Sequence, residues 1–314
     1  MPKTVIKTQD LTKAYGDVLA LDHLTMEIPE HSIVGFLGPN GAGKSTTIKL
    51  LLGLIHPTVG SGQIFGKDIQ SESLAIRHRI GYLAQSPRFY PNMTARETLR
   101  FVARFFYTDT NKIEARVAES LKIVNLENKA DRSIRGFSGG ELQRLGIAQA
   151  QINQPEMLIL DEPAAALDPM GRADVLNIMM RLREVSTIFY STHILDDVQR
   201  VSDRVVILNN GRLVSQGPID ELLLGEGEVI YNVEITRHNE QTMERVRKLP
   251  WVSQVVRGME NGHSRWSITI NDEQRARQEL LRVILQDENV EVLEFGRRQF
   301  ELEEIFMDLV GEGS

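Results

Sequence analysis

The sequence predicts two parts: a large α/β part built on a mostly parallel sheet, then a small α+β part. Three observations predict this fold class. Short apolar runs bounded by polar residues recur along the first part, as in strands buried on both faces of a parallel sheet. One of these runs enters a glycine-rich loop, and the stretch after the loop can form a helix with an apolar face. After Pro218 the pattern changes to the order β-α-β-β-α-β.

Length and composition place the chain among ordinary globular proteins. Its 314 residues favour two domains over one, and 41% apolar and 25% charged residues are typical of a soluble fold. The absence of cysteine excludes disulfides and thiolate metal sites and fits the cytosol. Residues 1–7 lack the apolar core of a secretory signal, and the apolar stretch 48–55 is far short of the ~20 residues that cross a bilayer. Any membrane role is therefore expected to need a partner.

The charge is unevenly placed. Residues 225–314 hold 11 Lys and Arg against 18 Asp and Glu, so the formal net charge of −7 lies entirely there, whereas residues 1–224 balance at 25 against 25. Neither part has the basic excess of a nucleic-acid binder, so no nucleic-acid partner is expected. A solvated acidic surface is the ordinary interpretation of the second part.

The first part is expected to carry buried parallel strands around the glycine-rich loop, with a helical subdomain inserted between them. Charged and apolar residues alternate at helical spacing along most of the stretch from about 87 to 151, which predicts that subdomain. Asn-Gly at 210–211, between two apolar runs, predicts a hairpin. The strand runs are residues 32–37, which lead into the loop, and residues 157–160 and 187–190.

The second part is expected to be a small α+β domain. We place the domains at residues 1–221 and 222–314. The predicted elements of the second domain are a strand at 229–235, a helix at 240–249, strands at 252–256 and 266–270, a helix at 274–285, a strand at 290–295 and a closing helix at 302–310.

The glycine-rich loop has the spacing of a phosphate-binding loop. Residues 38–45 match G-x-x-x-x-G-K-S between a strand and a helix, the context that this motif requires. Glycines let successive N–H groups point at phosphate oxygens, and the helix N-terminus adds a favourable dipole. Lys44 is expected to neutralise the β- and γ-phosphates, and the Ser45 hydroxyl to ligate Mg2+. The predicted nucleotide contacts are Gly38, Pro39, Asn40, Gly41, Ala42, Gly43, Lys44, Ser45 and Thr46.

Two carboxylates close the apolar run 157–160. Asp161 is expected to hold Mg2+, and Glu162 to polarise the attacking water as general base. Acidic residues at a strand end are common. The presence of the phosphate-loop residue Lys44 in the same chain is what favours the catalytic interpretation. His193, after the run 187–190, is expected to contact the γ-phosphate or to orient the water.

Further motifs follow in a fixed order. Phe137-Ser138-Gly139-Gly140-Glu141 is similar to the signature LSGGQ, Gln85 to the Q-loop glutamine, and Ala166-Leu167-Asp168 to the D-loop. With the phosphate loop, residues 4–221 resemble the ATP-binding cassette (ABC) ATPase family. The resemblance implies a P-loop NTPase core with an antiparallel β subdomain and the inserted helical subdomain.

The resemblance also implies a shared site. In that family two cassettes enclose two ATP molecules, each bound by the phosphate loop of one cassette and the signature of the other. Gln85 would ligate Mg2+ with Ser45 and Asp161, and would join Lys44, Glu162 and His193 in catalysis. Implied contacts to ATP are Tyr15, stacking on adenine, and Ser138, Gly139, Gly140 and Glu141 across the dimer. Glu141 replaces the usual Gln, and Ala164-Ala165-Ala166 replaces Thr-x-Gly, without removing a catalytic group.

The resemblance finally suggests partners. Residues 87–94 follow the Q-loop, and in the family this region meets the membrane subunit; ordinary loop packing is the alternative. Residues 300–306 resemble the ending of exporter-type cassettes. We expect an ATPase subunit that pairs with a second cassette, identical or not, and drives an integral membrane permease at the cytoplasmic face. Residues 225–314 are expected to add a dimerisation surface.

We weigh two other classes of protein against this expectation. A cassette that acts in assembly or regulation, without transport, is the alternative. A DNA-repair ATPase would carry a coiled coil or a zinc-binding insertion, which the sequence lacks.

Overall fold

The computed structural model describes residues 3–224, 229–236, 240–260, 263–287, 290–298 and 300–311. Within these residues the chain divides into two compact units. One runs up to Ile219 and includes the segment from Leu309 onward, and the other is Asp220–Asp308.

The strands lie in both units. In chain order they are β1 (Thr4–Tyr15), β2 (Val18–Leu24), β3 (Glu27–Pro29), β4 (Ile33–Leu37), β5 (Val59–Ile64), β6 (Lys67–Asp68), β7 (Ile80–Leu83), β8 (Met157–Asp161), β9 (Thr187–Thr192), β10 (Arg204–Asn209), β11 (Arg212–Pro218), β12 (Val229–Ile235), β13 (Val252–Glu260), β14 (His263–Ile270) and β15 (Val292–Arg297).

The helices are likewise numbered in chain order. They are α1 (Lys44–Leu51), α2 (Ser73–Arg77), α3 (Ala95–Ala103), α4 (Thr110–Ile123), α5 (Gly139–Ala150), α6 (Pro169–Leu182), α7 (Leu195–Val201), α8 (Ile219–Leu223), α9 (Glu240–Arg247), α10 (Glu273–Arg275), α11 (Leu281–Ile284) and α12 (Leu302–Gly311). No helix among the described residues is long and apolar enough to span a bilayer.

The central sheet of the first unit has the order β11-β10-β4-β9-β8-β7, and every pair except β10–β11 is parallel. Every residue of β4, β8 and β9 is buried, as the apolar runs predicted. Because parallel strands end at the same edge of a sheet, the residues that follow β4, β8 and β9 lie side by side. The phosphate loop, Asp161, Glu162 and His193 meet at this edge.

A second sheet is antiparallel, with the order β2-β1-β5-β6 and β3 paired with β1. One apolar core joins the two sheets of this unit, and α1 contributes Ile48 and Leu51 to it. The core therefore fixes α1, and with it the phosphate loop, between the two sheets. This arrangement confirms the antiparallel β subdomain.

Helices α3, α4 and α5 lie between β7 and β8 in the chain, which confirms the inserted helical subdomain. A capping box begins α3, with the Thr94 side chain accepting from the Glu97 N–H and the Glu97 carboxylate accepting from the Thr94 N–H. The hairpin between β10 and β11 is also confirmed. Asn210 and Gly211 both have positive φ there, 47° and 79°, as the Asn-Gly pair predicted.

The second unit contains a four-stranded antiparallel sheet of order β13-β14-β12-β15. The predicted β-α-β-β-α-β order and the closing helix are confirmed, although the second predicted helix is interrupted by a π-helical turn at Ala276–Leu280. Its core is centred on Trp266, which is fully buried. Apolar residues of α9 and α11, among them Met243 and Ile284, complete the core.

Candidate nucleotide site

The phosphate loop joins β4 to α1 and passes close to neighbouring backbone. Gly43, directly before α1, has φ 105°, and a Cβ there would lie 2.6 Å from the Ala20 carbonyl oxygen. A Cβ on Gly38 would lie 2.4 Å from the Leu208 carbonyl oxygen. Any side chain at either position would therefore clash with backbone, so both glycines are required by the subunit's own packing.

Lys44 is held inside this loop. Its Nζ donates to the carbonyl oxygens of Gly38 (2.6 Å) and Pro39 (3.2 Å) and lies 3.6 Å from Glu162 Oε1. Burial lowers the pKa of Lys44, and the Glu162 and Asp161 carboxylates partly offset that effect. The ammonium is thus held at the loop by backbone carbonyl oxygens.

Asp161 and Glu162 stand at the end of β8, beside the loop. Ser45 Oγ donates to Asp161 Oδ2 at 3.3 Å. Glu162 has a positive φ of 49°, an uncommon conformation for a residue other than glycine. His193 Nδ1 lies 3.0 Å from Glu162 Oε2, so the structure brings Lys44, Ser45, Asp161, Glu162 and His193 together.

Ser191 is a residue that the sequence analysis did not single out. It is fully buried in β9 opposite Asp161. Its Oγ donates to Asp161 Oδ1 at 2.6 Å and accepts from the Glu162 N–H at 2.9 Å. One hydroxyl therefore orients both carboxylate residues. A polar residue inside an otherwise apolar strand was the available signal, but only strand register shows its partners.

The oxygen donors fit Mg2+. Ser45 supplies a hydroxyl, Asp161 a carboxylate, and Gln85 lines the same cleft as Ser45. Mg2+ prefers such oxygen ligands and is commonly bound through one or two carboxylates together with substrate phosphates. In the part of the chain that the structure describes, no group of three or more His, Cys, Asp or Glu residues could hold a metal alone. The arrangement suits an ion that arrives with a nucleotide.

The cleft over the phosphate loop is lined by only some of the predicted nucleotide contacts. Tyr15 and the signature residues Ser138, Gly139 and Gly140 are absent from its walls. Tyr15 is half-exposed, with Lys13 Nζ 5.0 Å from its ring centroid, and Ala20 lines the cleft instead. The lining residues are Ala20, Pro39, Asn40, Gly41, Ala42, Gly43, Lys44, Ser45, Thr46, Gln85 and Glu162.

The signature loop begins α5. Ser138 caps the helix by accepting from the Glu141 N–H, and the Ser138 N–H donates to Glu141 Oε2 at 2.8 Å. The other carboxylate oxygen of Glu141 pairs with Lys129. Burial raises the pKa of Glu141, but the hydrogen bonds from Lys129 and Ser138 outweigh it and the pKa lies below its ordinary value. The carboxylate that replaces the usual Gln is thus engaged within its own subunit.

Comparison with known proteins agrees with this architecture. A family model described as "ABC transporter" matches residues 21–165. The bacitracin transport ATP-binding protein BcrA of Bacillus licheniformis is 43% identical over 221 residues, covering 70% of this chain and 71% of BcrA. The daunorubicin resistance ATP-binding protein DrrA3 of Streptomyces coeruleorubidus is 31% identical over 313 residues, covering 99% of this chain and 98% of DrrA3.

A solved structure is similar as well. The ATP-binding cassette MJ0796, as a post-hydrolysis dimer bound to ADP and Pi, has a TM-score of 0.62 and 28% identity, covering 68% of this chain and 98% of that one. Similarity at this level extends over the cassette and, in DrrA3, over nearly the whole chain. The protein therefore belongs to the ATP-binding subunits of ABC transporters and is an ATPase with a P-loop NTPase cassette.

Proposed function

We propose that this chain is the ATPase subunit of an exporter, that it dimerises on ATP, and that it drives a separate integral membrane permease. BcrA is named for bacitracin transport and DrrA3 for daunorubicin resistance, and export of a compound provides resistance to it. The MJ0796 cassette is dimeric with ADP and Pi bound. Within this proposal the protein works at the cytoplasmic face, with a cassette at 1–221 and a C-terminal domain at 222–314.

The signature glycines carry the dimer proposal. Ser138 and Gly139 are exposed, and a Cβ on Gly139 would meet nothing within 4 Å. The subunit's own packing thus does not require glycine at this position. Close approach of an external ligand to the backbone would require it. The phosphate-loop cleft lacks these residues, so a second cassette placing its signature over the cleft would complete both sites.

The chemistry follows from the grouped side chains. Lys44 would exchange the loop carbonyls for β- and γ-phosphate oxygens. Bound Mg2+, held by Ser45 and Asp161 with Gln85, would offset phosphate charge. Glu162 would accept a proton from the attacking water, and the His193 contact would keep its carboxylate oriented. Tyr15 would stack on adenine.

Complementation between two inactive variants tests the shared site. Lys44→Ala disables the phosphate loop and Ser138→Arg blocks the signature, so each homodimer should be nearly inactive. In a mixed dimer one site combines an intact loop with an intact signature. Equal mixing should therefore restore up to about a quarter of wild-type hydrolysis, since half the dimers are mixed and each has one of two sites intact. Ser133→Arg, at an exposed serine ahead of the signature, is the control.

Activity in the Ser138→Arg homodimer, or no recovery on mixing, would reject the shared site. Binding of labelled ATP to each single variant is measured in parallel, because Ser138→Arg should leave binding to the isolated subunit unchanged.

An exposed aromatic patch supports the permease proposal. Phe101 makes edge-on contacts with Tyr90 (6.4 Å between centroids) and Phe105 (5.4 Å). The side chains of Tyr90 and Phe105 are 66% and 70% exposed. Exposed apolar clusters of this kind mark interaction sites. The patch lies after the Q-loop, and an apolar segment of the membrane subunit would cover it.

Phe105→Ser should weaken co-purification with the permease and leave basal ATP hydrolysis unchanged. Val185→Ser, which alters an equally exposed apolar residue elsewhere, is the control. Undiminished co-purification of the Phe105 variant would exclude the patch as the permease contact.

The C-terminal domain has a separate test. Deleting residues 225–314 should weaken dimerisation in sedimentation experiments, and an unchanged dimer would reject a role of this domain in dimerisation.

A further inference from the structure

A cleft separates the beginnings of α6 and α7. Its walls include Pro169 and Ala173 on α6 and Asp196 and Arg200 on α7. The helices each follow a loop of functional interest. The D-loop, Ala166–Asp168, leads into α6, and His193 stands two residues before α7.

One ion pair bridges this cleft. Arg172 Nε donates to Asp197 Oδ1 at 2.6 Å, and the Asp197 carboxylate is almost completely buried. Burial raises the pKa of Asp197, and Arg172 opposes that rise. A buried carboxylate that loses its partner is strongly unfavourable, so the pair holds the two helix ends at a defined separation.

On its α6 side, the ion pair lies near the signature. A Cβ built on Gly140 would lie 3.8 Å from Gly171 Cα, so the backbones of the signature and of the first turn of α6 are close together. Gly171 in turn donates its N–H to the Asp168 side chain, and the Arg172 N–H donates to the Asp168 carbonyl. The D-loop and Arg172 are therefore joined by hydrogen bonds within one helical turn, and the signature backbone lies beside that turn.

On its α7 side, the ion pair lies close to the predicted catalytic residue His193 in the sequence. Asp197 lies in the first turn of α7, four residues after His193, whose Nδ1 lies 3.0 Å from Glu162 Oε2. A small shift of this turn would move the imidazole relative to the carboxylate.

We propose that Arg172 and Asp197 are positioning residues that couple the signature of each subunit to its own His193. The inference rests on the proposed dimer, in which the signature contacts the nucleotide of the partner subunit. Engagement of that nucleotide would displace the first turn of α6, and the ion pair would pass the displacement to α7. Each subunit would thereby align its own His193 only when its signature is occupied.

The chain offers a matched control. Arg183, which caps the other end of α6, pairs with Asp203 after α7 at 2.6 Å. Arg172→Gln and Arg183→Gln thus each remove one ion pair between the same two helical regions, but only the first lies beside the D-loop and His193. Melting temperatures of both variants identify any general loss of stability.

The readouts are steady-state hydrolysis of Mg-ATP and the histidine ring signals in NMR spectra of the full chain. We expect Arg172→Gln to lower kcat at least about tenfold with KM nearly unchanged, because misplaced catalytic groups are costly. The Hill coefficient for ATP should fall towards one, and the His193 signal should shift. Arg183→Gln should leave all of these values at wild-type levels.

Equal effects of the two substitutions, or an unchanged kcat or His193 signal in Arg172→Gln, would overturn the coupling. If Arg172→Gln does not fold, Asp197→Asn removes the same charge pair with little change of shape and is judged by the same outcomes. Failure of the dimer itself would be recognised separately, because the Lys44→Ala and Ser138→Arg mixture would then show no recovery.

Discussion

The phosphate loop and the signature loop are both glycine-rich turns that begin a helix, yet their surroundings differ. Gly43 has φ 105° and lies against the Ala20 carbonyl, and the adjacent Lys44 is buried. Gly139 is exposed and an added Cβ would touch nothing. The first loop is thus constrained by its own subunit, whereas the second is left open to an external contact. Internal packing accounts for Gly43, whereas the proposed contact with the nucleotide of a partner subunit accounts for Gly139.

The largest effect is expected at Glu162, beside the phosphate loop. Glu162→Gln should reduce hydrolysis by at least about 100-fold while ATP binding persists, because the amide cannot take the proton from water. Phosphate release and binding of labelled ATP measure the two quantities. Glu156→Gln, at the opposite end of β8, is the control. Retained turnover in Glu162→Gln would exclude this residue as the base.

A direct comparison of the two glycines comes next. Gly43→Ala should destabilise the fold by about 1–3 kcal/mol and weaken ATP binding, because φ 105° is strained for alanine and its Cβ would meet the Ala20 carbonyl. Gly139→Ala should change stability by less than about 0.5 kcal/mol yet lower hydrolysis. Chemical denaturation and ATPase assays distinguish them. Equal destabilisation by both substitutions would show that the two loops are constrained alike within the subunit.

Ser191→Ala should have a moderate effect, confined to the site beside the phosphate loop. Without its hydroxyl, Asp161 and the Glu162 N–H each lose a buried hydrogen bond, and we expect about tenfold weaker metal affinity. Mn2+ binding in the presence of ADP, followed by electron paramagnetic resonance, measures this without hydrolysis. Ser186→Ala removes a buried hydrogen bond to the Pro155 carbonyl elsewhere and is the control. Equal Mn2+ affinity in both variants would contradict the role of Ser191.

The smallest effect is expected at Glu141. Its folded-state pKa lies below the ordinary value of 4.5, so its stabilising contribution is complete above about pH 4.5 and is lost as pH falls through the folded pKa. Glu141→Gln should therefore lower stability by about 0.5–1 kcal/mol at pH 7, and the difference should shrink in acid. Thermal melts from pH 7 to pH 3 measure this. Hydrolysis should change little, since the carboxylate contacts Ser138 and Lys129 of its own subunit; a large change would contradict that orientation.

Much of the fold followed from local patterns. The apolar runs predicted β4, β8 and β9, and the Asn-Gly pair predicted the hairpin with positive φ at both residues. The order of elements in the second unit was predicted as well. Helix ends were less accurate: the helix expected at 240–249 ends at Arg247, and the next one contains a π-helical turn. Such ends depend on tertiary contacts that no short pattern encodes.

By itself, the sequence determined which groups are available for phosphate chemistry. The spacing of the phosphate loop and the carboxylates after an apolar run follow from chain order and local backbone geometry, so motifs suffice to predict them. Only the tertiary structure placed Ser191 opposite Asp161, turned Glu141 inward to Lys129, and joined Arg172 to Asp197. These contacts connect residues 12 to 30 positions apart. Sheet register and helix packing bring them together, and a linear pattern contains neither.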